Sequence, residues 1–151
     1  ITMESDTKKL TDTTKLLREC DAGTKMAISS INEILEKVED TKLNEILTKS
    51  RNAHEELESE IHSLLNYHKE EQKEPDPIAK GMSFIKTNVK MGIDESDKTV
   101  ANLITDGCNM GIKSLNKYLN QYKMADEISK KVTEKLIRLE EDLRKDLRIY
   151  L

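Results

Sequence analysis

Apolar positions in this chain recur at alternating steps of four and three, with polar residues occupying some of the rungs. Leu10, Thr14, Leu17, Asp21, Thr24, Ile28, Ile31, Leu35 and Val38 form one ladder. Leu43, Leu47, Ser50, His54, Leu57, Ile61, Leu64 and His68 form a second. Such spacing gathers each set on one stripe of an α-helix, so it predicts two consecutive long helices, one from Leu10 to Val38 and one reaching Glu71. Between them Val38-Glu39-Asp40-Thr41 makes a short break, with Asp40 or Thr41 available as an N-cap. A break this short turns the second helix back beside the first. Residues 1–8 are polar and lack periodicity, and are expected to form a flexible tail.

The charged stretch Lys69 to Glu74 runs into Pro75-Asp76-Pro77. Beyond it the pattern is incomplete, with Ile78, Met82, Phe84, Ile85 and Val89 as apolar positions. Gly81 and Gly92 each weaken a helix by about 1 kcal/mol relative to Ala. Residues 72–92 therefore read as a short helical or irregular crossover. Ile93, Val100, Leu103, Ile104, Met110, Ile112, Leu115 and Leu119 mark a third helix, and Lys123-Met124-Ala125 a tight turn. Ile128, Val132, Leu136, Leu139, Leu143, Leu147 and Tyr150 then place a fourth helix on one stripe. The expected architecture is all-α: a single domain over residues 1–151, folded as an antiparallel four-helix bundle from hairpins at 10–71 and 93–151.

The two hairpins are related. A shift of 84 residues overlays Gly23 on Gly107, Met26 on Met110, Ile28 on Ile112, Ser30 on Ser114, Asn32 on Asn116 and Leu35 on Leu119. With a slip of one or two residues after the turn, Leu57 falls on Leu143 and Ile61 on Leu147. Two hairpins with one apolar face each bury those faces most simply against one another. Gly23 and Gly107 occupy matching mid-helix positions, where the expected gain is close helix approach or room for a large neighbour.

Composition narrows the function classes. The 151 residues are 36% charged, with five Gly, two Pro and no Trp, and carry a net charge of −4. There is no basic stripe with interleaved aromatics, which argues against nucleic acid. No apolar run reaches the roughly 20 residues that span a bilayer, and no basic-then-apolar signal segment opens the chain. Cys20 and Cys108 suggest neither a disulfide framework nor a thiolate metal site, and read as reduced core residues of a cytoplasmic protein. No phosphate-cradling glycine loop or catalytic triad order is present.

Four stretches carry a resemblance: Glu19-Cys20-Asp21-Ala22-Gly23-Thr24-Lys25-Met26-Ala27, Leu43 to Leu57, Gly81-Met82-Ser83-Phe84-Ile85-Lys86, and Asp106-Gly107-Cys108-Asn109-Met110-Gly111. In order and spacing the chain resembles a family of uncharacterised bacterial ferritin-like four-helix proteins built from a duplicated hairpin. That resemblance implies ferritin-like topology and assembly into dimers, and carries no established activity. Active ferritin-like di-iron proteins use Glu-x-x-His motifs. Here Arg51 stands three residues before His54 and Ser59 three before His62, and the fourth helix has no histidine.

The polar rungs are where chemistry enters. Asp21 lies on the seam, where a buried carboxylate must be neutral, paired or metal-bound, or else reaches solvent or a lysine at the boundary. His54 occupies the same kind of position, either satisfied structurally or offering one ring nitrogen to a ligand. Glu58 lies one turn further on. The repeat places Glu140 opposite His54 in sequence, although a solvated pair with Arg144 uses the same spacing. Asp21, His54, Glu58 and Glu140 together make the candidate metal set, acceptable in donor type for iron, manganese or zinc. His62 reads as a flank residue and His68 as a helix-terminal one. Two functions follow. One is a noncatalytic bundle with no cofactor that self-associates as a homo-oligomer or binds another protein. The other is a ferritin-like metal-binding or oxidoreductase protein.

Overall fold

The computed structural model describes residues 3–70, 73 and 96–151. Among them are four α-helices and no strand: α1 (Met3–Leu35), α2 (Thr41–Tyr67), α3 (Asp97–Gln121) and α4 (Glu127–Asp146). A 3₁₀ turn, Arg148–Tyr150, closes the chain. The all-helical expectation holds, whereas the expected crossover at 72–92 and the Gly92 break lie outside the described residues, apart from Lys73.

Local chemistry sets the helix ends. α1 starts earlier than its apolar pattern, with Glu4 and Asp6 in the first turn complementing the positive end of the helix dipole. Asp40 caps α2 by accepting the Leu43 amide, Ser96 caps α3 through Thr99, and Asp126 caps α4 through Ser129. Each such cap is worth about 1 kcal/mol. Arg144 and Lys145 in the last turn of α4 face the negative end of its dipole. α2 stops before Glu71 because Lys69 adopts φ 58°. The Lys69 and Glu70 amides donate to the carbonyls of Asn66 and Leu65, a double closure of the helix C-terminus.

Each helix contributes to the core. Near the α1–α2 connection, Ile31, Ile34, Leu43, Leu47, Val100, Ile104, Leu143 and Leu147 belong to one buried cluster. Toward the other end, Leu17, Cys20, Leu57, Ile61, Leu65, Leu115, Val132 and Leu136 belong to a second. Fully burying one such large side chain contributes roughly 1.5–3 kcal/mol. Four described apolar residues of the predicted seams, Leu10, Ile28, Met110 and Ile128, fall outside these clusters, and Leu10 is 52%, Met110 64% and Ile128 58% exposed. Leu10 lies before the packed part of α1. On α4 the buried stripe runs instead through Ser129, Val132, Thr133, Leu136 and Ile137.

Polar contacts order the helices. Between α1 and α2, His62 reaches Asp21 and Arg51 reaches Asn32, two pairs with the same residue-number sum. Between α1 and α4, the pairs Thr13/Asp126 and Cys20/Thr133 keep one sequence offset, 113 residues. At one end the Asp97 carboxylate of α3 accepts the amides of Glu39 and Asp40, while Tyr150 donates to Asp40. At the other, Asp12 accepts the Met124 amide and Thr13 the Asp126 amide. The backbone amide of Lys73 donates to Asp21. Glu70 and Ser96, the described limits of the connection from α2 to α3, thus stand toward opposite ends of the helices.

Candidate functional site

The four expected metal residues divide between two places. His54 and Glu140 meet across α2 and α4, as the repeat suggested, with Nε2 3.0 Å from Oε1. His54 is fully buried and Glu140 is 8% exposed. His54 Nδ1 lies 2.8 Å from the Ser50 carbonyl, four residues back on the same helix. A carbonyl at one nitrogen and a carboxylate at the other place an acceptor at each, an arrangement that favours the protonated ring. Burial opposes that charge, but the hydrogen bond and negative charge of Glu140, aided by Ser50, outweigh it and hold the pKa above the ordinary histidine value. Both ring nitrogens are committed, so His54 sits in a closed ion pair.

Asp21 and Glu58 gather with His62 instead. One donor atom from each of the three lies within 4.8 Å of the others. The Asp21 side chain is fully buried, its Oδ1 2.7 Å from His62 Nε2 and its Oδ2 3.0 Å from Lys25 Nζ. The boundary reading that paired Asp21 with a lysine therefore describes Oδ2. His62, read from sequence as a flank residue, was the member missed. Its signal is the spacing Glu58-x-x-x-His62, which stacks a carboxylate and an imidazole one turn apart on one helix face.

A third feature belongs to α1 and α3. Between them runs a groove of ≈ 390 Å³ lined by Ala22, Gly23, Met26, Ala27, Ser30 and Ile31 on one wall, and by Gly107, Met110, Gly111, Ser114 and Leu115 on the other. Ten of the lining residues are repeat mates across the two walls: Gly23 and Gly107, Met26 and Met110, Ala27 and Gly111, Ser30 and Ser114, Ile31 and Leu115. Leu136, Glu140 and Leu143 reach it from α4. Met26 is 36% and Met110 64% exposed. The expectation of close helix approach at the glycines meets a different geometry. A Cβ on Gly107 would have nothing within 4 Å, one on Gly23 would touch Leu136 at 3.6 Å, and one on Gly111 would touch Glu140 at 3.8 Å.

The cysteines offer no reactive thiolate. Both are free and buried. Burial pushes the Cys20 thiol up to about 12 despite its hydrogen bond to Thr133. Burial, reinforced by the charge and hydrogen bond of Glu140, pushes Cys108 up as well. Among the described residues no helix is long and apolar enough to cross a membrane. No protein-family model, curated protein or solved structure matches this chain.

Proposed function

We propose that this chain is a noncatalytic binding bundle whose α1–α3 groove receives an amphipathic helical segment of a partner protein. The underlying architecture in this reading is ferritin-like and its neighbouring helices are antiparallel. The equal residue-number sums between α1 and α2 support opposite directions for that pair, and the constant α1–α4 offset supports a shared one. Together they favour an up-down-down-up order with one long crossover.

The groove is the observation that carries the functional reading. Its α1 wall from Glu19 to Ile31 is about 18 Å of helix, a little over three turns, which suits a helix of similar length lying alongside. Methionines at both lips are flexible and polarisable, and adapt to an apolar partner. Three mid-helix glycines line it, each costing about 1 kcal/mol of helix propensity relative to Ala. None of the three is demanded by packing, since each site accommodates a Cβ at ordinary contact distance or in open space. They keep the groove floor low for an incoming backbone. The closed His54–Glu140 pair supplies no open acid, base or nucleophile beneath it.

The test is selection of binders from a displayed library of amphipathic helices, followed by measurement on the full chain. The expected binders carry apolar anchors at i, i+3/i+4 and i+7 and shift the methyl resonances of Met26 and Met110. Gly107→Leu, which fills the groove from a position with no neighbouring atom within 4 Å, should weaken them by at least ~10-fold without lowering the melting temperature. An absence of selected binders, or binding indifferent to Gly107→Leu, overturns the proposal. So does a photo-crosslinker at Met110 that reacts with residues 74–95 of its own chain or with a second copy.

A further inference from the structure

We infer that Asp21, Glu58 and His62 form a mononuclear site for a divalent transition metal, with Zn²⁺ the best-fitting ion, at the α1–α2 seam. The site is independent of the groove and of the His54–Glu140 pair.

The donor set has the composition that zinc accepts: one imidazole nitrogen and two carboxylate oxygens, with a fourth position for water. Two of the donors come from one face of α2, one turn apart, and the third from α1. The division of labour on Asp21 leaves a donor atom for the ion. Oδ2 is held by Lys25 Nζ at 3.0 Å and by the Lys73 amide at 2.8 Å, while Oδ1 points at His62. Lys25 can therefore remain in place when a cation binds Oδ1. Glu58 makes no hydrogen bond or ion pair among the described residues, although it is half-buried beside a buried carboxylate. It also lines a surface hollow with Lys25 and Asn32, which gives an ion a path from solvent.

Binding replaces the His62–Asp21 hydrogen bond: the single proton of the neutral ring resides on Nδ1, which frees the Nε2 lone pair, and bonds form from the ion to Nε2, Oδ1 and a Glu58 oxygen. Zinc bonds of about 2.1 Å in a tetrahedron set donor separations of about 3.4 Å. The 2.7 Å His62–Asp21 pair must open slightly, and the widest separation, at most 4.8 Å, must close by rotation of Glu58. Two carboxylates offset the charge of the dication, although the Asp21 carboxylate is shared with Lys25.

The experiment is calorimetric titration of the full chain with Zn²⁺ alone, with histidine ring resonances followed in parallel. The expected result is one ion per chain, a perturbed His62 ring with His54 unmoved, and a raised melting temperature. Glu58→Gln removes a ligand that supports no other contact, so its fold should be intact. It and His62→Ala should each weaken binding by at least ~10-fold, while His68→Ala leaves it unchanged. Absence of stoichiometric binding overturns the inference, as does binding that survives Glu58→Gln or is lost equally in His68→Ala.

Discussion

His54 shows what a polar rung does inside a helical core. Its fully buried ring is held between the Ser50 carbonyl and the Glu140 carboxylate, which itself borders the groove at 8% exposure. Removing one charge and leaving the other buried is the costly event. His54→Leu is expected to lose about 3–5 kcal/mol, whereas the double change His54→Leu, Glu140→Met should recover most of it. Urea unfolding of the four members of the cycle at pH 6 reads both numbers. The sign of the pH dependence follows from the raised histidine pKa. Its contribution is full below the unfolded-state value of about 6.5 and is lost as pH rises through the higher folded-state value. A melting temperature that falls on that alkaline side in the wild type, with the step absent in His54→Gln, is the expected profile. The pairing was partly legible, because the repeat set Glu140 opposite His54. The regrouping of Asp21 and Glu58 around His62 was not, since it depends on how far α2 is rotated against α1.

At the scale of single helices, boundaries followed capping chemistry more closely than apolar periodicity. Asp40, Ser96 and Asp126 each start a helix by accepting an amide three residues on. Of these, Asp40 was readable in advance as a cap. The end of α2 was not, because no glycine marks it. Lys69 takes a left-handed conformation there, which costs a non-glycine residue roughly 1–2 kcal/mol. Lys69→Gly keeps both closing hydrogen bonds and removes that cost, and is expected to stabilise the protein by about 1 kcal/mol. Thermal unfolding should show a rise of about 2–4 °C for a chain of this size. A fall would mean that the lysine side chain contributes more than its backbone strain takes away.

For the molecule as a whole, hydrogen bonds between distant segments tie the helix ends. Tyr150, in the terminal 3₁₀ turn, donates at 2.6 Å to the same Asp40 carboxylate that caps α2, and Asp97 of α3 holds the neighbouring amides. The tie holds the Asp40 carboxyl below its ordinary value, first through Tyr150 and then through the Leu43 amide. It also raises Tyr150 to about 12, because Asp40 accepts its hydroxyl and repels the phenolate. The Asp40 contribution is therefore present above the unfolded value of about 3.9 and is lost as pH falls through the depressed one. That of Tyr150 is present below about pH 10 and is lost as pH rises through its folded value. Ultraviolet titration should resolve one late-ionising tyrosine, which Asp40→Asn moves back toward the others.

By itself the sequence determined that the described residues are helical and where the turns between their helices fall, and it displayed the 84-residue repeat. Those properties depend on a period of 3.6 residues, on caps and on breakers, all of which act over a few neighbouring positions. Only the tertiary structure decided which polar rungs meet. It joined His54 to Glu140, gathered Asp21 and Glu58 around His62, and set Gly107 facing open space. Each of these outcomes depends on the rotation and offset of one helix against another, which long-range packing of the two apolar clusters sets. The duplicated glycines and methionines were visible as a repeat along one dimension. They became the two walls of a groove when α1 and α3 were placed side by side.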